Sequence, residues 1–145
     1  MSFTNFAARR VLNSFLGGGT PSSPNFGSVT GGPTHMGAAL DTGTPTEAGA
    51  NFNEPVGNGY SRIALTLPSD FNIATDADPS VKDSAAALTF PAASGGNWGT
   101  ITHVGFFDAS SGGNLLFVLA LDTPRTINDG ETLSFAAGDL TLTLD

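Results

Sequence analysis

The first pattern in the chain is an apolar stripe with helical spacing. Apolar residues recur at intervals of three and four positions, as in a helix that buries one face. The stripe consists of Ala8, Val11, Leu12, Phe15 and Leu16. Three glycines at 17–19 would end such a helix. The sequence therefore predicts an amphipathic helix over residues 1–16, with Arg9 and Arg10 on its opposite face.

Beyond the helix the apolar residues recur at every second position, which is typical of half-buried β-strands. Alternating stretches occur at 63–67, 88–90, 133–135 and 140–144. Ala137 and Gly138 separate the last two, and this pair suits a tight turn. We therefore expect the strands at 133–135 and 140–144 to form a hairpin.

Two segments, 101–107 and 115–121, are apolar on both faces and are joined by the glycine-rich stretch 108–114. This pattern predicts a hairpin in the middle of a sheet, covered on one face by an opposing sheet and on the other by the helix or another subunit. With six or seven strands and no helix between them, the predicted fold is mainly β. It is an antiparallel β-sandwich or small barrel with one N-terminal amphipathic α-helix.

The domain organisation follows from these patterns. A chain of 145 residues is long enough for one domain with an ordinary core. We predict a helix at 1–16, a Gly/Pro-rich linker at 17–33 and a β-sandwich domain at 34–145. Two long stretches without a strand pattern, 41–59 and 68–84, are typical of functional loops. They contain Phe52 and Phe71, respectively.

Composition narrows the classes of partner. The chain has 5 Lys and Arg against 13 Asp and Glu, a formal net charge of −8, so a nucleic-acid or anionic-membrane surface is not expected. The longest apolar run, 115–121, is far shorter than the roughly 20 residues that span a bilayer. Charged residues make up only 12 % of the chain, which favours a surface that lies against neighbouring subunits.

Candidate chemistry is sparse. The only histidines are His35 and His103, and no Gly-x-Ser-x-Gly nucleophile motif accompanies them. Asp76, Asp78 and Asp83 fit the ligand spacing of an EF-hand loop poorly. There are no cysteines. We therefore predict no catalytic, cofactor-binding or metal-binding residues and a protein that is not an enzyme.

The order of several segments resembles a family of small tailed-phage virion proteins, commonly labelled phage tail fibre proteins. The segments are Asn-Phe-Ala-Ala-Arg-Arg-Val-Leu at 5–12, Gly-Tyr-Ser-Arg at 59–62, Leu-Thr-Phe-Pro at 88–91 and the runs 98–108 and 132–144. Members of that family typically have Ala where this chain has Ser61. The resemblance implies a structural virion component and brings no catalytic motif.

The position in the virion is a separate question. A fibre that reaches a host needs a long shaft, and this chain has neither heptads nor repeats. We therefore favour a capsid decoration or cement protein, a homotrimer bound to the major capsid protein or another virion protein on the capsid surface. The alternative is a tail fibre, tail-tip adaptor or glycan-binding receptor module. The candidate partner-binding residues are Arg9, Arg10, Phe52 and Phe71.

Overall fold

The computed structural model describes residues 11–14, 16, 32–46 and 49–144. Residues 11–14 and 16 are helical. Eight strands follow: β1 (His35–Leu40), β2 (Ile63–Ala64), β3 (Ser80–Asp83), β4 (Leu88–Ala92), β5 (Gly99–Phe107), β6 (Leu115–Ile127), β7 (Thr132–Phe135) and β8 (Thr141–Leu144). The prediction of a mainly β fold with antiparallel sheets and an N-terminal helix is confirmed.

The described chain divides into two compact units. One contains the described parts of Met1–Gly32 with Thr66–Leu88 and Phe135–Asp145, and the other contains Pro33–Leu65 with Thr89–Ser134. We call them unit 1 and unit 2. The predicted boundaries of the helix at 1–16, the linker at 17–33 and the domain at 34–145 stay predictions, because residues 1–10, 17–31 and 145 lie outside the described part.

Unit 2 is built around a four-stranded sheet in the order β2-β1-β5-β6. Its strands run antiparallel, and Val104 of β5 lies between Ala38 of β1 and Leu119 of β6. The predicted hairpin between 101–107 and 115–121 is therefore confirmed. This sheet does not close into a barrel, because β2 and β6 end it instead of pairing with each other.

The predicted central position of both hairpin strands is wrong for β6. Of the two hairpin strands, only β5 has a neighbour on each side. Its neighbours are β1 and β6. Within the described residues, β6 pairs with β5 alone. Apolar residues on both faces indicate that a strand needs cover, but they do not indicate how many strands flank it.

The predicted hairpin between the last two strands is also wrong. The turn forms, since the Asp139 N–H donates to the Ala136 carbonyl at 3.1 Å. However, β7 pairs with β4, and β8 pairs with β3. Strand β3 lies in a stretch that was expected to be a loop, because its inward-facing residues are Ser80 and Lys82 instead of apolar ones. A polar inward face gives no alternating hydrophobic signal.

The helix contributes to the core of unit 1. Leu12, Asn13 and Leu16 are buried. The Asn13 side-chain oxygen accepts the Ala74 N–H at 3.0 Å and lies 3.5 Å from the Lys82 amine. Lys82 is fully buried and donates to the Asn72 carbonyl at 2.6 Å, and its burial lowers the pKa of the amine to about 8. These polar contacts link the helix to β3 within unit 1.

Candidate assembly surface

The most exposed apolar strand in unit 2 is the first part of β6. Residues 115–119 and 121 are half-buried, and Ala120 is exposed. In the neighbouring strand, by contrast, the four residues 104–107 are all buried. Monomeric proteins rarely leave a long apolar strand at an open sheet edge, because its unpaired backbone groups can pair with another chain. The first part of β6 is therefore a candidate assembly surface.

The two ends of β6 differ in how their edge is protected. Residues 115–120 pair with 103–107, whereas 125–127 pair with 99–101. Between them, residues 121–124 lie opposite Thr102 alone and form a wide irregularity in the ladder. This second part contains Asp122, Pro124 and Arg125, and charge, proline and bulges are the features that discourage edge pairing. The stretch 115–121, hereafter the open edge, contains no charged residue and no proline, and within it the ladder to β5 has a one-residue irregularity at Leu116.

Side chains of the open edge contact residues on both faces of the sheet. Phe117 stacks on buried Phe106, with ring centroids 4.3 Å apart and an interplanar angle of 16°. On the other face, Phe52 and Leu115 cover Gly105 of β5. A Cβ atom at Gly105 would lie 2.5 Å from the Phe52 ring and 2.7 Å from Leu115. Glycine is therefore needed here so that both side chains can lie against the strand.

Arg62 fixes the loops at the start of the open edge. Its Nε and Nη2 donate to the Glu54 carboxylate at 2.6 to 3.1 Å, and Nη1 donates to the carbonyls of Ala109 and Gly112 at 2.9 and 2.8 Å. The guanidinium lies 3.3 Å above the centre of the Phe107 ring. Only 7 % of the Arg62 side chain is exposed, against 24 % for Glu54. This planar, multiply bonded arrangement ties the loop that carries Glu54 to the hairpin loop before β6.

Tyr60 completes this cluster. Its hydroxyl donates to Glu54 at 2.6 Å and accepts the Ala38 N–H of β1 at 2.9 Å. Burial and the hydrogen bond to Glu54 raise the pKa of Tyr60 far above its ordinary value, so the hydroxyl stays a donor. Gly37 makes room, since a Cβ there would lie 2.6 Å from the Glu54 carboxylate. The residues at 59–62 therefore position a loop against β1.

The hairpin loop has its own internal contacts. Asp108 accepts both the backbone N–H and the side-chain amide of Asn114 at 2.7 Å. Both hydrogen bonds hold the pKa of the Asp108 carboxyl below its usual range, and the bond from the Asn114 side-chain amide has the larger effect. These bonds close the loop immediately before Leu115 and fix where β6 begins.

Two clefts border the open edge, and Leu115 lines both of them. One has a volume of about 420 Å³ and includes Phe52, Glu54 and Arg62. The other, of about 390 Å³, lies between Pro45, Thr46 and the first four residues of β6. In the first cleft, the Arg62 guanidinium donates to Glu54 and to the carbonyls of Ala109 and Gly112. The second cleft is lined mainly by apolar side chains of the open edge itself.

The four sequence-predicted partner residues do not form one group. Phe52 belongs to unit 2 and is half-buried beside the open edge, 5.4 Å from the Phe107 ring. Phe71 belongs to unit 1, where its backbone forms an isolated antiparallel β-bridge with Ser84. Because Phe71 is only 3 % exposed, its ring could anchor a partner only if its loop opened. Arg9 and Arg10 lie outside the described residues. Their roles in partner binding stay predictions.

The residues considered for chemistry lie apart. Each histidine ring contacts the preceding threonine hydroxyl, His35 at 2.9 Å from Thr34 and His103 at 2.8 Å from Thr102. Within residues 11–14, 16, 32–46 and 49–144, no three His, Asp or Glu side chains are placed to hold a metal ion. In the same ranges no helix is long and apolar enough to cross a membrane.

Sequence reasoning missed Glu54 and Arg62. Neither has a catalytic spacing, and a single ion pair gives no periodic signal. One sign was present, since the Gly-Tyr-Ser-Arg stretch at 59–62 places one of only 5 basic residues two positions after the only tyrosine. In a chain with so few positive charges, an arginine next to an aromatic residue is a candidate for a buried, stacked position.

An antiparallel β protein with an open apolar edge and rigid flanking loops has the features of a subunit of a larger assembly. Residues 2–143 match the family described as podophage GP4 fiber I protein gp80. The chain belongs to this family, and the predicted resemblance to phage tail fibre proteins is confirmed. It is therefore a structural component of a phage virion. No curated protein matches the chain.

Proposed function

We propose that this protein is a non-enzymatic structural subunit of a podophage tail fibre and that it binds neighbouring virion subunits through the open edge of β6. One observation carries the proposal. Seven consecutive uncharged apolar residues lie at a sheet edge and are left partly exposed. The family description, a fiber protein, supports a position in the tail.

The energetics favour association at this edge. Burial of apolar surface stabilises a complex by roughly 25 cal/mol per Å². A half-exposed leucine or phenylalanine therefore has on the order of 1 kcal/mol still to gain from a partner. Among the described strands, 115–121 pairs with β5 alone, so the backbone groups on its outer edge can in addition form hydrogen bonds with an added strand. The Arg62 cluster holds the adjacent loops in place, which lowers the entropy lost on binding.

A second candidate is a decoration protein on the capsid surface. It is favoured by the absence from the sequence of heptads or repeats that could build a fibre shaft. In this role a homotrimer would clamp copies of the major capsid protein, each contact adding to the cost of opening the shell. A subunit at the base or tip of a fibre also needs no shaft of its own, so the sequence feature is compatible with both candidates.

Localisation in intact particles tests the proposal. A short peptide tag in the exposed turn at 128–130, bound by a gold-labelled antibody, should mark the tail in negatively stained virions. Label over the capsid faces would overturn the tail position and favour the decoration role. Absence of the tagged protein from purified particles that contain all other structural proteins would contradict both.

A receptor-binding role predicts a different result. The isolated protein would bind glycans directly, and substitutions in the 420 Å³ cleft would weaken that binding. The polar groups in this cleft hydrogen-bond to each other: Glu54 accepts from Arg62 and Tyr60, and Asn114 donates to Asp108. We therefore expect no retention on a glycan array, and specific retention would favour the receptor module.

A further inference from the structure

We propose that the occupant of the open edge is the same strand of a second copy of this chain, paired antiparallel about a two-fold axis at Val118. This inference rests on the proposed function, because it names the partner at the surface described above. Identical strands that pair antiparallel form a self-complementary contact. Residue i of the first copy meets residue j of the second, and residue j of the first copy meets residue i of the second.

The charge of the chain limits where two copies can meet. Each copy has a formal net charge of −8, so most approaches bring like charges together. The open edge has no charged residue and is bounded by Asp122 on the following side. A second copy can therefore lie along 115–121 without burying a carboxylate.

The sequence of the open edge selects one register. With the axis at Val118, Leu115 faces Leu121, Leu116 faces Ala120 and Phe117 faces Leu119 of the other copy. Every pair within the stretch is then apolar. In the next pair outward, Asp122 faces the amide of Asn114, so no two carboxylates meet. A shift of the axis to Ala120 would place Asp122 opposite Val118. A shift to Leu116 would place Leu121 and Leu119 opposite the glycine-rich loop.

The ends of the open edge also limit the pairing. On one side, the irregularity at 121–124 and Pro124 interrupt the ladder. On the other side, the loop closed by Asp108 and Asn114 ends the strand. The paired stretch is thus confined to 115–121, whose last residue, Leu121, lies at the beginning of the irregularity. Its length is close to that of an average strand in a globular protein.

The cleft of about 390 Å³ provides room for the second copy. It is lined by Pro45, Thr46 and the first four residues of β6. In the register centred on Val118, Leu119 and Leu121 of the other copy lie opposite the strand residues that line this cleft. Their side chains would fill the cleft from outside, and the symmetric contact would bury two such clefts at once.

Single cysteines test the register directly, because the chain has none of its own. In an antiparallel pair, opposed Cα atoms are about 4.5 to 5.5 Å apart, within the range that a disulfide spans. Only the residue on the two-fold axis meets itself. The Val118→Cys variant should therefore form a covalent dimer on mild oxidation. Leu116→Cys should do so only when mixed with Ala120→Cys. Thr123→Cys, in the irregular stretch, should remain a dimer without forming the covalent crosslink.

The mass of the purified protein tests the dimer without a crosslink. We expect sedimentation to give twice the chain mass of 14.7 kDa. Val118→Lys should shift the protein to a monomer with an unchanged circular dichroism spectrum, whereas the matched control Thr123→Lys should stay dimeric. A monomeric or trimeric wild-type protein, a dimer that persists in Val118→Lys, or efficient crosslinking of Thr123→Cys would overturn the proposal.

Incorporation into virions separates this inference from the proposed function. If the wild-type protein is monomeric but Val118→Lys is lost from particles, another virion protein occupies the open edge. In that case the proposed function holds, and the second-copy proposal fails. If the wild-type protein is a dimer and Val118→Lys is still incorporated fully, the dimer stands and the open edge has no role in attachment to the virion.

Discussion

Strands β5 and β6 are neighbours in one sheet and are similarly apolar over 101–107 and 115–121, yet their environments differ. The last four residues of β5 are buried, whereas the open edge of β6 is half-buried or exposed. The difference is the number of flanking strands, since β1 and β6 lie on either side of β5 and only β5 pairs with β6 in the described chain. An apolar strand thus indicates a need for cover, which the chain itself supplies for β5 and which we propose another subunit supplies for β6.

The largest expected difference between β5 and β6 is the loss of stability when a charge is introduced into each strand. Val104 is fully buried in β5, so Val104→Asp should destabilise unit 2 by at least about 4 kcal/mol, because an unpaired carboxylate has no partner there. Val118→Asp at the half-buried open edge should cost the isolated chain less than about 1 kcal/mol. Denaturant unfolding, at protein concentrations low enough for the wild type to be monomeric, measures both changes by the fluorescence of Trp98, the only tryptophan and a buried residue of unit 2. Equal losses would contradict the comparison.

The next largest effect concerns the cluster that positions the start of β6. Arg62→Met should destabilise unit 2 by about 2 to 3 kcal/mol, because Glu54 loses its counter-charge and two loop carbonyls lose their donor. The matched control is Arg125→Met. Arg125 is exposed in the second part of β6 and donates to the Ser134 carbonyl, so we expect less than about 1 kcal/mol. The same fluorescence measurement applies, and a larger loss in the control would contradict the assigned role of Arg62.

A methyl group at the contact between β5 and the flanking loop should have a smaller effect. Gly105→Ala would force the Phe52 ring and Leu115 away from the strand, which we expect to cost about 1 to 3 kcal/mol. In the double variant with Phe52→Ala, the clash with the ring is removed, so the two losses should be less than additive. A double-mutant cycle on denaturant midpoints measures this coupling. Strict additivity would show that Phe52 does not lie against Gly105.

The smallest effect is a pH dependence in the loop between the two strands. The pKa of Asp108 is lowered in the folded protein, so the folded state binds fewer protons there than the unfolded state. Its contribution to stability is present above the ordinary pKa of aspartate and is lost as the pH falls through the lowered value. The Tm difference between wild type and Asp108→Asn should therefore shrink on acidification from pH 6 to pH 3. A constant difference would contradict this assignment.

The mainly β content and one hairpin could be predicted from the sequence, because they depend on local patterns. The β5–β6 hairpin follows from two apolar runs and the glycine-rich stretch between them. Strand β3 was missed because its inward-facing residues are polar and give no alternating hydrophobic signal. The partner of β7 was wrong because strand pairing over a long sequence distance leaves no local pattern. The candidate surface was found as an apolar run, but Glu54 and Arg62, which hold its flanking loops, are 8 residues apart and meet only in the folded loop.

By itself, the sequence determined that the protein is mainly β, has an N-terminal helix and contains two strands that are apolar on both faces. These properties depend on residue type and spacing, and the physical preferences of single residues are sufficient to specify them. The tertiary structure alone decided which of the two strands is enclosed. That outcome depends on β1, more than sixty residues earlier in the chain, which occupies one edge of β5 and leaves the apolar edge of β6 open to another subunit.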